Sequence, residues 1–162
     1  MDINKAFPIL LQQEGISAVC ISGDRGGITK FGVSQAAYPK LDIKNLTMAQ
    51  ALDIYNNDYW LPARCAELKQ ELQYAHFSAS VNCGVGSAAR ILQRACHVED
   101  DGVIGNDTLK AQLNITLHDY CVEWGLHYKD IEEKHPEDMK FAKGWANRID
   151  NIIQWYKDGK LA

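Results

Sequence analysis

The feature that most constrains the fold is the helical spacing of large apolar side chains in the second half of the chain. In LHDYCVEWGLHYKDIEE, residues 117–133, apolar residues recur three and four positions apart, and DMKFAKGWANRIDNIIQWYKDG, residues 138–159, repeats the pattern. This spacing gathers the apolar side chains on one helical face. Two long amphipathic helices and a mainly α fold are therefore predicted, with Trp124, Trp145 and Trp155 packing in the core rather than stacking on sugars.

Start and stop signals divide the remainder of the chain into shorter helices. Ile3, Phe7 and Leu10 form an apolar stripe that reaches Glu14, and the proline at position 8 implies either a start near Phe7 or a kink there. Further helices are expected over 48–60, 71–82, 87–96 and 106–114. The predicted caps and helix ends are Ser34, the Thr47–Gln50 capping box, Pro62, Gly84, Ser87, Asn106 and Gly159.

A small β element interrupts this helical pattern near the N-terminus. The β-rich segments AVCI (18–21) and ITKFGV (28–33) flank the glycine-rich stretch SGDRGG. This arrangement is typical of a β-hairpin. The predicted fold is thus a lysozyme-like helical bundle with a small β-hairpin lobe. We expect a catalytic part over 1–75 and a helical part over 76–162, packed as one unit.

Composition and charge narrow the functional classes. The 162 residues carry a net charge of −4, and the basic residues are scattered among acids, which disfavours nucleic-acid binding. No signal peptide or membrane span is predicted, so we expect synthesis in a bacterial cytoplasm without stable membrane insertion. The five cysteines are widely spaced without a CxxC pair, and the five histidines are dispersed. Reduced thiols, no metal site and no cofactor are therefore expected.

Glu14 is the first candidate for chemistry, because it ends the apolar face of the first predicted helix. Partial burial of a carboxylate disfavours its ionised form, and a glutamic acid kept protonated can donate a proton to a leaving oxygen. The more common alternative is a surface glutamate in the last turn of a helix.

Asp24 and Thr29 extend this candidate site. The glycines around Asp24 allow a tight turn that would bring a second carboxylate towards Glu14, and a pair of carboxylates is the apparatus of glycoside hydrolysis. Thr29 could hold a water molecule through its hydroxyl group. The structural alternatives are an aspartate that bonds its own turn and a threonine placed for β-propensity.

These residues resemble the lysozyme superfamily and, more closely, the N-acetylmuramidases of glycoside hydrolase family 108. Fourteen residues separate Glu14 from Thr29, as in phage lysozymes, and the aspartate lies one place later than in those enzymes. The family signature E-G … D-x-G-G-x-T-x-x-G-[IV] is filled by Glu14, Gly15, Asp24, Gly26, Gly27, Thr29, Gly32 and Val33. The usual E-G-G-Y start is EGIS here.

The resemblance continues into the second half of the chain. Tyr59 and Trp60 match an aromatic pair of the family, and VNCGVGSAARILQRAC, DDGVIGNDTL and KGWANR are similar to its peptidoglycan-binding region. Asn106 replaces the proline of the D-G-x-I-G-P turn. The resemblance implies cleavage of the β-1,4 bond between N-acetylmuramic acid and N-acetylglucosamine in bacterial peptidoglycan.

The same resemblance assigns roles to individual residues. Glu14 would be the general acid, and the broader superfamily implies Asp24 as the base and Thr29 as the residue that holds water. Phe31, Tyr59 and Asn82 are the candidate substrate-binding residues. A monomeric phage or prophage endolysin, or a muramidase serving secretion, would reach the wall through a holin or another export route.

Three other functions stay open at this point. A lytic transglycosylase needs one acid but no base that activates water. A non-catalytic peptidoglycan-binding module would account for the second half alone. A thiol amidase built on Cys20 and His76 is the third, set against the interpretation of a buried thiol and a histidine on a helix surface.

Overall fold

The computed structural model describes residues 1–14 and 28–161. The described residues form seven α-helices and a small antiparallel sheet, so the prediction of a mainly α, lysozyme-like fold with a β-hairpin near the N-terminus is confirmed. The elements in chain order are α1 (Ile3–Gln13), β1 (Thr29–Lys30), β2 (Val33–Ser34), α2 (Met48–Tyr55), α3 (Gln70–Cys83), α4 (Val85–Ala95), α5 (Asn106–Ala111), α6 (Leu117–Lys134) and α7 (Ala142–Lys157).

The chain divides into two compact units, Asp2–Asp58 and Tyr59–Ala162 together with Met1. In the first unit, α1 packs on α2, and the rings of Phe7 and Tyr55 lie 4.8 Å apart between their centroids. Helix α1 begins at Ile3 and not near Phe7, because the Asp2 side chain accepts a hydrogen bond from the Lys5 backbone N–H at 3.1 Å and caps the helix. Pro8 lies inside the helix with an exposed side chain.

The described β-hairpin covers residues 29–34, so the chain turns within ITKFGV (28–33), the segment that was predicted to be a single strand. Thr29 pairs with Ser34 and Lys30 with Val33, and the turn is Phe31–Gly32. Both turn residues have positive φ, 50° for Phe31 and 78° for Gly32. A two-residue turn of this kind matches the twist of the flanking strands. The predicted first strand over 18–21 and the SGDRGG turn lie outside the described residues.

Side-chain hydrogen bonds hold the connection between the hairpin and α2. The Gln35 amide donates to the carbonyls of Tyr38 and Leu41 at 3.1 and 2.8 Å. Ser34 accepts a hydrogen bond from the Ala37 backbone N–H at 3.2 Å, but the residues that follow form turns instead of the short helix that Ser34 was predicted to cap. The capping box between Thr47 and Gln50 is present as predicted. A π-helical segment, Asn56–Trp60, follows α2.

The second unit is built around α3, in which every residue from Leu72 to Ser80 is buried. This helix packs against α4 and α6, and it ends at Gly84 as predicted, with a φ of 86°. His76 is also fully buried, so the interpretation of His76 as a surface histidine is wrong. An all-round burial of this kind is typical of a central helix.

The remaining helices of this unit differ from the prediction mainly at their ends. Helix α4 begins at Val85 after Gly84, and α5 is capped by Gly105, so neither Ser87 nor Asn106 is an N-cap. Trp124 is fully buried as predicted. Trp145 is half-buried and stacks on Tyr128, with 4.7 Å between ring centroids. No helix in the described ranges has the length and apolar character that crossing a lipid bilayer requires.

Candidate functional site

Glu14 is the C-cap residue of α1, as its spacing from Phe7 and Leu10 predicted. Its backbone N–H donates to the Leu10 carbonyl oxygen at 3.0 Å, and its side chain is half-buried. Leu10 and Leu11, in the turn before it, are buried. The helix therefore fixes the backbone of Glu14 at the end of an apolar face while leaving its carboxylate partly accessible, which suits a group that must reach a substrate.

Thr29 and Phe31 lie in the hairpin of the same unit, and both side chains are half-buried. The Lys30 ammonium donates to the Lys44 carbonyl oxygen at 3.2 Å and lies 5.6 Å from the centre of the Phe31 ring. Phe31 adopts a left-handed backbone conformation, which is uncommon for a bulky residue and costs on the order of 1 kcal/mol. The candidate base Asp24 lies outside the described residues.

The other two candidate residues belong to the second unit. Tyr59 is half-buried, whereas its neighbour Trp60 is buried and contacts Phe77 edge to face at 5.4 Å. Asn82 is exposed, and its side-chain amide donates to the Ser78 carbonyl oxygen at 2.8 Å. The aromatic pair thus divides into a structural Trp60 and a more accessible Tyr59.

Gln93 is a residue whose role the sequence analysis missed. It is buried on α4, and its amide nitrogen donates to the Asp101 carboxylate at 2.7 Å and to the Val103 carbonyl oxygen at 3.0 Å. Its amide oxygen accepts from the Gly102 backbone N–H at 2.9 Å. One glutamine therefore joins the two motifs ARILQ and DDGVIG, and a buried glutamine at the end of an apolar helix motif is the signal that could have revealed it.

Gly102 is required by the conformation of this turn. Its φ is 82°, and a Cβ atom placed on it would lie 2.9 Å from the Arg90 guanidinium. The Asp101 carboxylate also accepts the Val103 backbone N–H at 2.8 Å, and both hydrogen bonds lower the pKa of Asp101. The turn is thus a rigid, closed loop on the surface of α4.

His76 is the other buried polar group that the helical pattern did not predict. Its Nδ1 atom lies 3.1 Å from the Tyr120 hydroxyl oxygen. Burial lowers the pKa of His76 to about 4 and raises that of Tyr120, so both groups are neutral near pH 7. A neutral Tyr120 can donate its hydroxyl proton to Nδ1, whereas the buried Nε2 atom of His76 has no hydrogen-bond partner among the described residues.

Comparisons with known proteins identify both halves of the chain. Residues 7–84 match the model of the glycosyl hydrolase 108 family, and residues 87–150 match the model of the predicted peptidoglycan domain. The chain therefore contains a glycosyl hydrolase 108 domain followed by a peptidoglycan domain. Its substrate polymer is peptidoglycan.

A solved structure agrees with this family assignment. The chain is similar to SagA of Brucella abortus, with a TM-score of 0.75 and 26% sequence identity, over 93% of this chain and 90% of SagA. None of the curated proteins matches the chain. Glu14, Thr29, Phe31, Tyr59 and Asn82 all lie within the matched glycosyl hydrolase 108 segment.

Proposed function

We propose that this protein is a muramidase that hydrolyses the β-1,4 bond between N-acetylmuramic acid and N-acetylglucosamine, with Glu14 as the general acid. The observation that carries the proposal is the place of Glu14: a half-buried carboxylate that caps α1 inside the glycosyl hydrolase 108 segment. A carboxylic acid in this setting can protonate the glycosidic oxygen as the bond breaks.

The proposal is tested by replacing Glu14 with glutamine, which keeps the shape of the side chain but removes its acid. Glu14→Gln should reduce clearing of purified peptidoglycan by about 10²- to 10⁴-fold, the contribution of general acid catalysis, with an unchanged circular dichroism spectrum. Glu99→Gln, a change of an exposed glutamate in the second unit, is the control and should keep full activity. Full activity in Glu14→Gln would refute the assignment.

Mass spectrometry of the products separates the proposed reaction from its alternatives. Hydrolysis leaves a reducing N-acetylmuramic acid end, and this is the expected product. A 1,6-anhydro-muramic acid end would instead identify a lytic transglycosylase. Released stem peptides without cut glycan would identify an amidase, and binding without any product would identify a non-catalytic module.

We further propose that Asp24 is the base and that Thr29 holds the attacking water. The hairpin supports the second role, because the Thr29 backbone is fixed by pairing with Ser34. Asp24→Asn should lower the rate at least about tenfold, and Asp53→Asn on the exposed side of α2 should not. Thr29→Val should lower the rate while Thr29→Ser retains it. An unchanged rate in Asp24→Asn would assign Asp24 a structural role.

We propose that Phe31, Tyr59 and Asn82 contact the glycan. Phe31 and Tyr59 are half-buried rings that leave part of their surface accessible, and aromatic faces suit contact with sugars. Asn82 is exposed near the end of α3. Alanine at Tyr59 or Asn82 should raise the KM for soluble glycan fragments more than it lowers kcat, and an unchanged KM would remove that residue from the binding site.

We propose lysis of a bacterial host by a phage or prophage as the biological setting, with a monomer that reaches the wall through a holin or another export route. The pairing of a glycosyl hydrolase domain with a peptidoglycan domain in one chain supports this setting. Co-expression with a holin should lyse the host cell, whereas either protein alone should not. Gel filtration should give the mass of one chain.

A further inference from the structure

A small basic cavity lies between α4 and α6 in the second unit. Its volume is about 220 Å³, and its lining includes Arg90 and Arg94 of α4 and Lys134 at the end of α6. Asp130 is the acidic residue among the described residues that line it. The whole chain has a net charge of −4, so this local excess of positive charge is unusual for the molecule.

The loop after α4 holds the two arginines in place. Arg94 Nε donates to an Asp100 carboxylate oxygen at 2.6 Å, and Arg90 Nη1 donates to the Asp100 carbonyl oxygen at 2.8 Å. Each guanidinium group carries five N–H donors, and these contacts use only part of them. The remaining donors are presented in a fixed orientation, which lowers the entropic cost of binding a planar anion.

The described lining of the cavity carries more cations than carboxylates, although further carboxylates lie beside its arginines. Arg94 forms ion pairs with Asp100 and, at 4.0 Å, with Asp130. Among the described ion pairs, none includes Arg90 or Lys134. In addition to their hydrogen bonds, the charge of Arg90 also lowers the pKa of Asp100 and Asp101, which lie outside the lining. Within the described lining, the three cations Arg90, Arg94 and Lys134 therefore face the carboxylate of Asp130. Burial, followed by the charge of Arg94, lowers the pKa of His127 in the same lining, so this histidine adds a neutral polar group near pH 7.

We propose that this cavity binds a free carboxylate of the peptidoglycan stem peptide. The inference rests on the proposed function for the identity of the polymer. Within that polymer the sugar backbone offers mainly hydroxyl and amide groups, whereas the stem peptides carry carboxylates, and arginine pairs with carboxylates through parallel hydrogen bonds. Every residue that lines the cavity lies within the segment 87–150 that matches the peptidoglycan domain.

The binding mode differs from that of the proposed active site, which must hold sugar rings. A cavity of this size accommodates one acidic group and its neighbouring atoms, not a folded partner. It would hold the wall by its peptides while the first domain acts on the glycan. Binding here should therefore depend on the charge of the peptide and not on the length of the glycan.

The test uses the full chain and a muramyl tetrapeptide, a single N-acetylmuramic acid that carries a four-residue stem. This probe has no bond between two sugars, so a muramidase cannot cleave it. Calorimetry or an NMR titration should give saturable binding. Amidation of the peptide carboxylates should weaken it at least about tenfold, because hydrogen bonds between charged groups are the strong ones.

Matched variants locate the binding site. The double variant Arg94→Gln/Lys134→Gln should weaken binding at least about tenfold. The single change Lys134→Gln, at an exposed helix end, should weaken binding measurably without any effect on folding. Lys129→Gln, an exposed lysine of the same helix outside the cavity, is the control and should stay within about twofold of the wild type. Thermal melting confirms that each variant is folded.

Equal affinity in the wild type and the double variant, or equal affinity for the free and amidated peptides, would overturn the proposal. Tighter binding of inorganic phosphate than of the tetrapeptide would also overturn it, in favour of a phosphate site. The muramidase proposal fails by a different result, full lysis by Glu14→Gln. Tetrapeptide binding does not depend on that outcome.

Discussion

The two compact units of this molecule obtain their order in different ways. In Asp2–Asp58 the helices are short, and the connection between hairpin and α2 is held largely by side chains such as Gln35 that bond backbone carbonyls. In the second unit α3, which is buried from Leu72 to Ser80, packs against α4 and α6. Candidate catalytic groups therefore lie on the less regular unit, where small changes in loops alter chemistry, and the larger hydrophobic core lies in the other.

The sharpest test of this contrast compares two fully buried phenylalanines. Phe7 contacts Tyr55 in the first unit, and Phe77 contacts Trp60 in the second. Alanine at either position should cost about 3–5 kcal/mol of local stability. Phe7→Ala should abolish lysis and keep most of the helical circular dichroism signal, because five of the seven described α-helices belong to the second unit. Phe77→Ala should lower the midpoint temperature of the main thermal transition.

Val122→Ala, on the exposed face of α6, is the control for both variants and should change neither lysis nor melting. An equal loss of helical signal in Phe7→Ala and Phe77→Ala would contradict the contrast, since it would show that the two cores melt as one.

The second test concerns the pH dependence of stability. A decrease in pH should destabilise the second unit, because it contains the buried His76. Its pKa is about 4 in the folded protein, below the ordinary value of 6.5, so the unfolded chain binds more protons between these two values. Stability should therefore fall as the pH decreases from 6.5 towards 4. The expected loss between pH 7 and pH 5 is about 2 kcal/mol from this group.

Urea unfolding at these two pH values measures the effect. His76→Gln removes the titrating group, and its stability should fall by about 2 kcal/mol less over the same interval. His118→Gln, at an exposed position, should retain the wild-type pH dependence. The same dependence in His76→Gln and the wild type would contradict the role of His76.

The smallest expected effect lies in the hairpin of the first unit. Asparagine tolerates the left-handed conformation that Phe31 adopts, and Asn-Gly is a favoured two-residue turn. Phe31→Asn should therefore stabilise the first unit by about 0.5–1 kcal/mol and at the same time weaken glycan binding. Higher stability with an unchanged KM would show that Phe31 does not contact substrate.

An element could be predicted where neighbouring residues in the sequence carry its signal. The capping box at Thr47 and the apolar stripes of α1 and α6 are local signals, and the structure agrees with them. The helical pattern predicted over 138–159 includes Phe141, but this residue lies in the 3-10 segment Pro136–Phe141 and is exposed. The turn at Phe31–Gly32 was not predicted, because a phenylalanine at a positive φ gives no turn signal.

The candidate site shows the same division. The position of Glu14 at a helix end could be predicted from spacing alone. The roles of Gln93 and His76 could not, because they depend on partners eight to 44 positions away in the chain. Contacts between residues that are distant in the sequence depend on how the helices pack. A periodic pattern identifies the buried face of a helix but not the residues that the face contacts.

The all-round burial of α3 has a consequence for the synthesis of the protein. A helix with no face suited to water cannot be stable by itself, and its partners α4 and α6 follow it in the chain. As the polypeptide leaves the ribosome, residues 72–80 therefore lack the helices that bury them until Lys134 has emerged. During that interval the nascent chain is expected to bind chaperones. Truncated proteins that lack α6 should aggregate instead of folding.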